Sequence, residues 1–335
     1  MSTATNGPDV HARAGAAQPA ATFDGVDLLA IGETLVQLAP LPGTPVAMGS
    51  CLQLAPGGAE SNVAMSCAKL GHRIVWASRV GSDQLSRALV EEIAACGVDT
   101  RAEVDPDRLS AVYVKLPRQN GSTTVLYYRE GSAASTMSPA FLDGLADLHP
   151  RIVHLSGITP ALSADCFALT ETLLRERPFG QAVVSFDINH RPSLWRVDAA
   201  PVLRDLAGLA DVVFVGLDEA ERLWGVERAE QVRALLPVVP FLVVKDGAHE
   251  AVQFGPEGTT RVPALPVQVV EPVGAGDAFA AGWLSGALRD LPARQRLLLG
   301  HHIAAAVLRS HTDQAPLPSP AEIDGLLAAR KELAS

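Results

Sequence analysis

Paired cysteines, an excess of positive charge and membrane-length apolar runs are all missing from this 335-residue chain. Its four cysteines, Cys51, Cys67, Cys96 and Cys166, have no CxxC spacing and stand among apolar or small residues. That pattern argues against a disulfide framework or a zinc site and suits reduced packing residues in a reducing, cytoplasmic compartment. Lys and Arg number 27 against 37 Asp and Glu, a formal charge of −10. Such a balance argues against non-specific binding to nucleic acid or an anionic membrane surface, while leaving room for a local cationic pocket and a small anionic substrate. No run of about 18 apolar residues is present that could span a bilayer. Residues 1–24 lack the apolar stretch of a secretory signal and, as an Ala/Thr/Gly/Pro mixture with little to pack, are expected to form a disordered tail.

What remains can bury a large core: 48% of residues are hydrophobic and 19% charged, which suits one domain over 25–335. Short β-branched runs, "VDLLAIG", "RIVWASRVG", "RIVHLSG", "QAVVSFD", "ADVVFVG" and "PFLVVKDG", alternate with helical periodicity. The alternation predicts an α/β fold, a doubly wound and mainly parallel sheet with helices on both faces. The clearest helices are expected after Ser61, over 83–96 and within 277–333. Ligands of such sheets bind beyond the carboxyl ends of the strands, so residues just after the apolar runs are the ones to watch.

Residues 110–132, "SAVYVKLPRQNGSTTVLYYREGS", break this pattern with two alternating runs around Asn120-Gly121, a hairpin signal. With "ETLVQLAP" over 33–40 they could build a small second sheet, a lid whose strands fall within about 33–56 and 110–130; an edge hairpin of the main sheet is the alternative. A strict two-residue turn would place Tyr113 opposite Tyr128. A three-residue loop would put Tyr113 on one face with Tyr127 and Arg129.

The stretch "VVEPVGAGDAFAAGW", 269–283, carries small residues followed at once by an acid. A dinucleotide fingerprint would need Gly or Ala where Phe279 stands, and a Walker loop would need GK[ST], so both are excluded. A plain helix start capped by Asp277 is one reading. The other makes the amides of Gly274, Ala275, Gly276 and Asp277 a nest for a transferring phosphoryl group, with Asp277 accepting the proton of an attacking hydroxyl. The helix dipole would then keep Asp277 ionised.

This loop and "GGAESNVAMSCAKLGHRIVWASRVG", 57–81, together resemble the two signature regions of the ribokinase-like, or PfkB, carbohydrate kinases. The resemblance runs from about Val26 to Leu327. It implies a doubly wound domain with a β-sheet lid, Asp277 as catalytic base, and ATP and Mg2+ as cofactors, a monovalent cation being a further candidate. "GGAESN", "VLYYREGSAAS", "VHLSGITPAL" and "DINHRPSLW" look, more narrowly, like the 2-keto-3-deoxygluconate kinases of that family. That similarity implies a sugar-acid site of Gly58, Ala59, Glu60, Ser61 and Asn62 with Tyr113, Tyr127 and Arg129 from the lid, and favours the register that puts those three on one face.

Asn189 and Arg191, in "NHR", would lie between substrate and phosphates. Guanidinium groups at 129 and 191 suit a carboxylate. On residue type alone, each arginine reads equally as a surface or helix-start salt bridge, and the tyrosines read as β packing. On the nucleotide side Lys245, Gly247 and His301 match family positions that border ATP, and Glu219 matches an acid that organises magnesium through water. Gly216 replaces a usual asparagine, Glu250 a usual glycine and Glu271 a usual aspartate, the last expected to matter little. His301 and His302 also read as a solvated helix pair. Asp313 matches a late acid that can contact substrate.

The expected activity is phosphorylation of the 6-hydroxyl of 2-keto-3-deoxygluconate. A fructokinase or ribokinase, or a non-catalytic sugar-binding regulator, are the alternatives. The expected partners are a sugar acid and ATP, without nucleic acid or membrane, in a homo-oligomer.

Overall fold

The computed structural model describes residues 25–310 other than 42–43, 45 and 118–122, and beyond 310 only 315–319, 321–323 and 325. The expected tail at 1–24, the Asn120-Gly121 turn and Asp313 lie outside the described residues. In chain order the strands are β1 (Val26–Ile31), β2 (Leu35–Pro40), β3 (Leu52–Gly57), β4 (Ile74–Gly81), β5 (Asp99–Asp105), β6 (Val112–Pro117) and β7 (Thr123–Tyr128). They continue as β8 (Pro150–Ser156), β9 (Val183–Asp187), β10 (Val212–Gly216), β11 (Phe241–Asp246), β12 (Glu250–Gly255) and β13 (Gly258–Pro263).

All six apolar runs read from the sequence are strands of a nine-stranded sheet, ordered β13-β12-β11-β10-β9-β8-β1-β4-β5. Neighbours from β11 through β5 pair in parallel, and β12 and β13 add an antiparallel edge. Successive residues of one strand feed opposite cores. Leu29 and Ile31 pack with Val153, Leu155 and Phe186 on one face, whereas Leu28 and Ala30 pack with Trp76, Phe214 and Trp283 on the other. This two-sided burial is why the runs are continuously apolar. The strands that escaped notice, β5, β12 and β13, are at or beside the sheet edges and carry mixed polar sequences such as "DTRAEVD" and "GTTRVP".

The chain winds from β1 outward through β4 and β5, then returns and winds the other way from β8, so the order switches between β1 and β8. A crevice opens at such a point beyond the strand ends. Its floor is closed by Glu60, which is 0% exposed. One carboxylate oxygen accepts from Ser156 N at 3.1 Å, Ser156 Oγ at 2.7 Å and Thr159 Oγ1 at 3.1 Å, at the end of β8. The carboxyl lies against Gly32, just after β1, where a Cβ would overlap it. Glu60 therefore bridges the two strands that frame the crevice.

The hairpin belongs to a separate four-stranded sheet, β3-β2-β6-β7. Tyr113 pairs with Tyr127, and Val112 with Tyr128, so the register is the one with Tyr113, Tyr127 and Arg129 on one face. A row Ala55, Gln37, Tyr113, Tyr127 crosses that face, and Leu54, Leu38, Val114, Leu126 cross the other. The expected helix at 83–96 is present as Gln84–Ala95, its N-cap Asp83 accepting from Leu85 N and Ser86 N. The helix expected after Ser61 begins earlier, at Ala59.

Burial pushes the Glu60 carboxyl up to about 7 from 4.5, against the hydrogen bonds from Ser156 and Thr159. A raised acid is bound more tightly to its proton in the folded state, so its contribution to stability is full below about pH 4.5 and lost as pH rises through about 7. Glu60→Gln, which mimics the protonated form, should match the parent protein near pH 5 and exceed it by roughly 1–3 kcal/mol at pH 8. Thermal melts across that pH range check this; parallel pH profiles for the two proteins would refute it.

Candidate active site

Gly274 adopts φ 82°, left-handed backbone that a side chain would strain, and caps the helix Ala275–Leu288. Its first-turn amides have no intrahelical acceptor and face the crevice end of the sheet. Asp277 stands in that first turn. Its Oδ2 accepts from Asn62 Nδ2 at 2.9 Å and its Oδ1 from Asn189 Nδ2 at 3.2 Å. Asn62 rides on the helix Ala59–Lys69, and Asn189 follows β9 with φ 37°. Both amide oxygens, Asn62 Oδ1 and Asn189 Oδ1, are buried without a partner.

The expectation that the helix dipole keeps Asp277 ionised is corrected by its surroundings. Loss of hydration pushes the carboxyl up to about 7, and Asp187 adds to the rise, while the Asn62 hydrogen bond, Arg191 and Lys245 oppose it. A partial charge at a helix end is outweighed by burial beside another acid.

Lys245, on β11, reaches Asp187 Oδ2 at 2.8 Å. A Cβ at Gly276 would stand 3.4 Å from its Nζ, so the ammonium lies beside the small-residue loop. Burial opposes its charge, but Asp187, Glu219 and Asp277 together hold its pKa above the ordinary lysine value. Glu219 opens the helix Leu217–Trp224 and accepts from His190 N and, at 3.3 Å, from Gly216 N. Burial first, then Asp187, raises its pKa. Asp218 Oδ1 lies 2.7 Å from where a Cβ at Gly216 would be, so Asp218 takes up the space left by the absent side chain. Asp187 was not singled out from the sequence, although an acid closing a buried strand was a usable signal.

A cleft of about 1000 Å³ joins these groups to both flanking regions. On the small-sheet side it is lined by Gly58, Ala59, Asn62, Tyr113, Tyr127 and Arg129. Tyr113 and Tyr127 lie 5.8 Å apart between ring centroids, and the Tyr113 hydroxyl donates to Gln37 Oε1 at 2.5 Å. Arg129 is already paired: its Nε donates to the buried Glu33 at 2.9 Å, its Nη2 joins the same oxygen, and Ser132 Oγ donates to the other. Arg191 is exposed at the cleft and forms no ion pair among the described residues. Glu60 and Ser61, expected to line this site, do not. Both are 0% exposed, one serving the floor of the crevice and the other donating to Gly58 O at 3.1 Å.

At the far end the cleft is bordered by Gly247, Glu250, Pro266, Phe279, His301 and Leu308. His301 is 7% exposed, not a solvated helix residue; its Nε2 lies 3.0 Å from Val262 O and its ring meets Phe279 edge-on at 5.1 Å. Glu250 pairs with Arg261, so its carboxylate is compensated at the cleft wall. Among the described residues no cluster of three His, Cys, Asp or Glu could by itself hold a metal, and no helix is long and apolar enough to cross a membrane.

The pfkB family carbohydrate kinase model matches residues 27–320. A 2-dehydro-3-deoxygluconokinase of Bacillus subtilis (strain 168) is 33% identical over 291 residues, 82% of this chain and 87% of that protein. One from Thermoproteus tenax is 32% identical over 317 residues, 91% and 95% of the two chains. Among solved structures, a PfkB protein from Polaromonas sp. JS666 shares the fold at a TM-score of 0.81 with 32% identity, over 90% of this chain and 99% of that one.

Breaking a buried ion pair from one side strands the other charge, whereas removing both charges does not. Lys245→Met should therefore cost about 3 kcal/mol in urea unfolding, and Lys245→Met with Asp187→Asn should recover most of it. Equal losses in the single and double variants would show that Asp187 does not depend on Lys245.

Proposed function

The chain belongs to the pfkB family of carbohydrate kinases, and from that premise we propose that it transfers the γ-phosphoryl group of ATP to the 6-hydroxyl of 2-keto-3-deoxygluconate in sugar-acid catabolism. The observation that carries the reading is Asp277, a carboxylate oriented by Asn62 and Asn189 beside first-turn amides and Lys245. The sugar acid lies between the small sheet and the Ala59–Lys69 helix, with Tyr113 and Tyr127 as walls and its carboxylate toward Arg191. ATP occupies the other end, near Gly247 and His301.

Asp277 takes the proton of the 6-hydroxyl as the oxygen attacks the γ-phosphorus in line, and the amides of Gly274, Ala275 and Gly276 with Lys245 receive the developing charge. A carboxylate with pKa about 7 is a better matched base at neutral pH than an ordinary aspartate. The donor set fits magnesium bound through water. Both Glu219 oxygens take a backbone N–H and Asp187 is engaged by Lys245, which suits an ion that keeps its water and binds mainly to phosphates. Asp187 and Glu219 would hold that water, and the ion would supply charge neutralisation to the phosphates.

A second reading is favoured by one observation. Glu33 already neutralises Arg129, so the small sheet brings little net positive charge, as a neutral sugar such as fructose or ribose would require. Sugar-acid recognition then falls on Arg191. A non-catalytic sugar-binding regulator is separated from both by ATP-dependent product formation.

Asp277→Asn should lower kcat by about 10²–10⁴ with nucleotide affinity nearly unchanged, measured by steady-state kinetics and calorimetry. Because the pKa is raised, the base form is lost as pH falls, so kcat/KM should drop about tenfold per unit below about pH 7. A flat profile down to pH 5 would remove Asp277 as the base. In an ADP-release assay across sugars and keto-deoxy sugar acids, Arg191→Ala should raise KM for the sugar acid by about tenfold or more. Preference for neutral hexoses would sink the proposed substrate.

A further inference from the structure

Lys115 sits on β6 two residues after Tyr113, hence on the face turned toward the cleft, yet its side chain is only 3% exposed. Its Nζ lies 3.8 Å from Glu271 Oε2. The other oxygen of that carboxylate accepts the N–H of Val273 at 3.2 Å, one residue before the Gly274 cap. The Val270 and Glu271 amides both turn to Leu308 O, at 2.8 and 3.4 Å, which fixes the start of the loop against the helix Ala293–Leu308. One carboxylate thus holds an ammonium of the small sheet and an amide of the anion loop together. Burying a lysine and a glutamate is costly unless they compensate each other, and truncating Lys115 leaves the Glu271 carboxylate short of positive charge.

We propose that Lys115 and Glu271 are positioning residues for phosphoryl transfer, a brace through which the placement of the small sheet sets the shape of the 272–276 loop. Neither touches the reacting atoms. Tyr113, two residues from Lys115, lines the acceptor end, and Gly274 to Gly276, just after Glu271, line the phosphate end. The brace therefore links acceptor seating to the donors that take up phosphate charge. Glutamate at 271 has a physical reason: aspartate would fall short by about 1.5 Å, one carbon–carbon bond, across a gap already 3.8 Å wide. On this proposal the departure from aspartate carries weight that the sequence reading did not give it.

The inference rests on the kinase reading, and its test carries a readout independent of it. With the sugar the assay panel selects, Lys115→Met and Glu271→Asp should each lower kcat by about 5–150-fold, the range of a coupling between two sites, while KM for the sugar changes by less than about threefold. Amide hydrogen exchange at 273–276 in the free protein should quicken in both variants. Unchanged kcat and unchanged exchange in Glu271→Asp, which keeps the charge and stays folded most readily, would overturn the brace. So would a loss confined to KM. If no sugar is phosphorylated by the parent protein, the kinase reading fails, and exchange at 273–276 alone still decides whether the brace shapes the loop.

Discussion

Lys245 reaches Asp187 at 2.8 Å in a recess that also holds Glu219 and Asp277, so one ammonium faces three carboxylates, and burial with the nearby Asp187 charge pushes two of them, Glu219 and Asp277, toward their neutral forms. The fold makes this congregation feasible. Asp187 and Lys245 end parallel strands separated only by β10, and Glu219 and Asp277 each begin a helix, where exposed amides favour negative charge. Moving any of these elements by one residue would leave a carboxylate without its donor. The recess is also short of positive charge, which explains why an anionic nucleotide would enter with a divalent cation and not alone.

Much of this was legible because one physical pattern dominated each segment. Strands buried on both faces are continuously apolar, and most were found; β5 and β13 have a wet side and were not, and β12, though buried, is broken by Gln253 and short of apolar residues. Spacing about the hairpin left two registers of the small sheet open, and the family resemblance favoured the one that pairs Tyr113 with Tyr127. The helix start at Ala275 followed from its small residues and the acid after them. The Asp187–Lys245 pair joins positions 58 residues apart and depends on strand order, which no local pattern encodes.

The errors have equally local causes. Glu60 and Ser61 came with the motif that carried the family resemblance, but on a helix Ala59 and Asn62 share a face while the residues between them turn away. Asp277 was given an ordinary ionised state because the helix start was visible and the desolvation around it was not. The alternative of a solvated His301–His302 pair rested on two adjacent polar residues, whereas Phe279 on the neighbouring helix covers the His301 ring. Phe279 itself served only to exclude a dinucleotide fingerprint, and it turns out to wall the cleft.

The small sheet is assembled from two excursions. β2 and β3 leave the large sheet after β1 and return at the helix Ala59–Lys69, and β6 and β7 leave after β5 and return before β8. Its strands pair only with one another, so none is needed to complete a ladder of the large sheet. The tyrosine walls of the cleft and the loop before Asp277 are thereby written in separable stretches of chain. Drift or grafting confined to those excursions could hand the same base and anion loop to a different acceptor, provided the incoming sheet still offered a cation to Glu271.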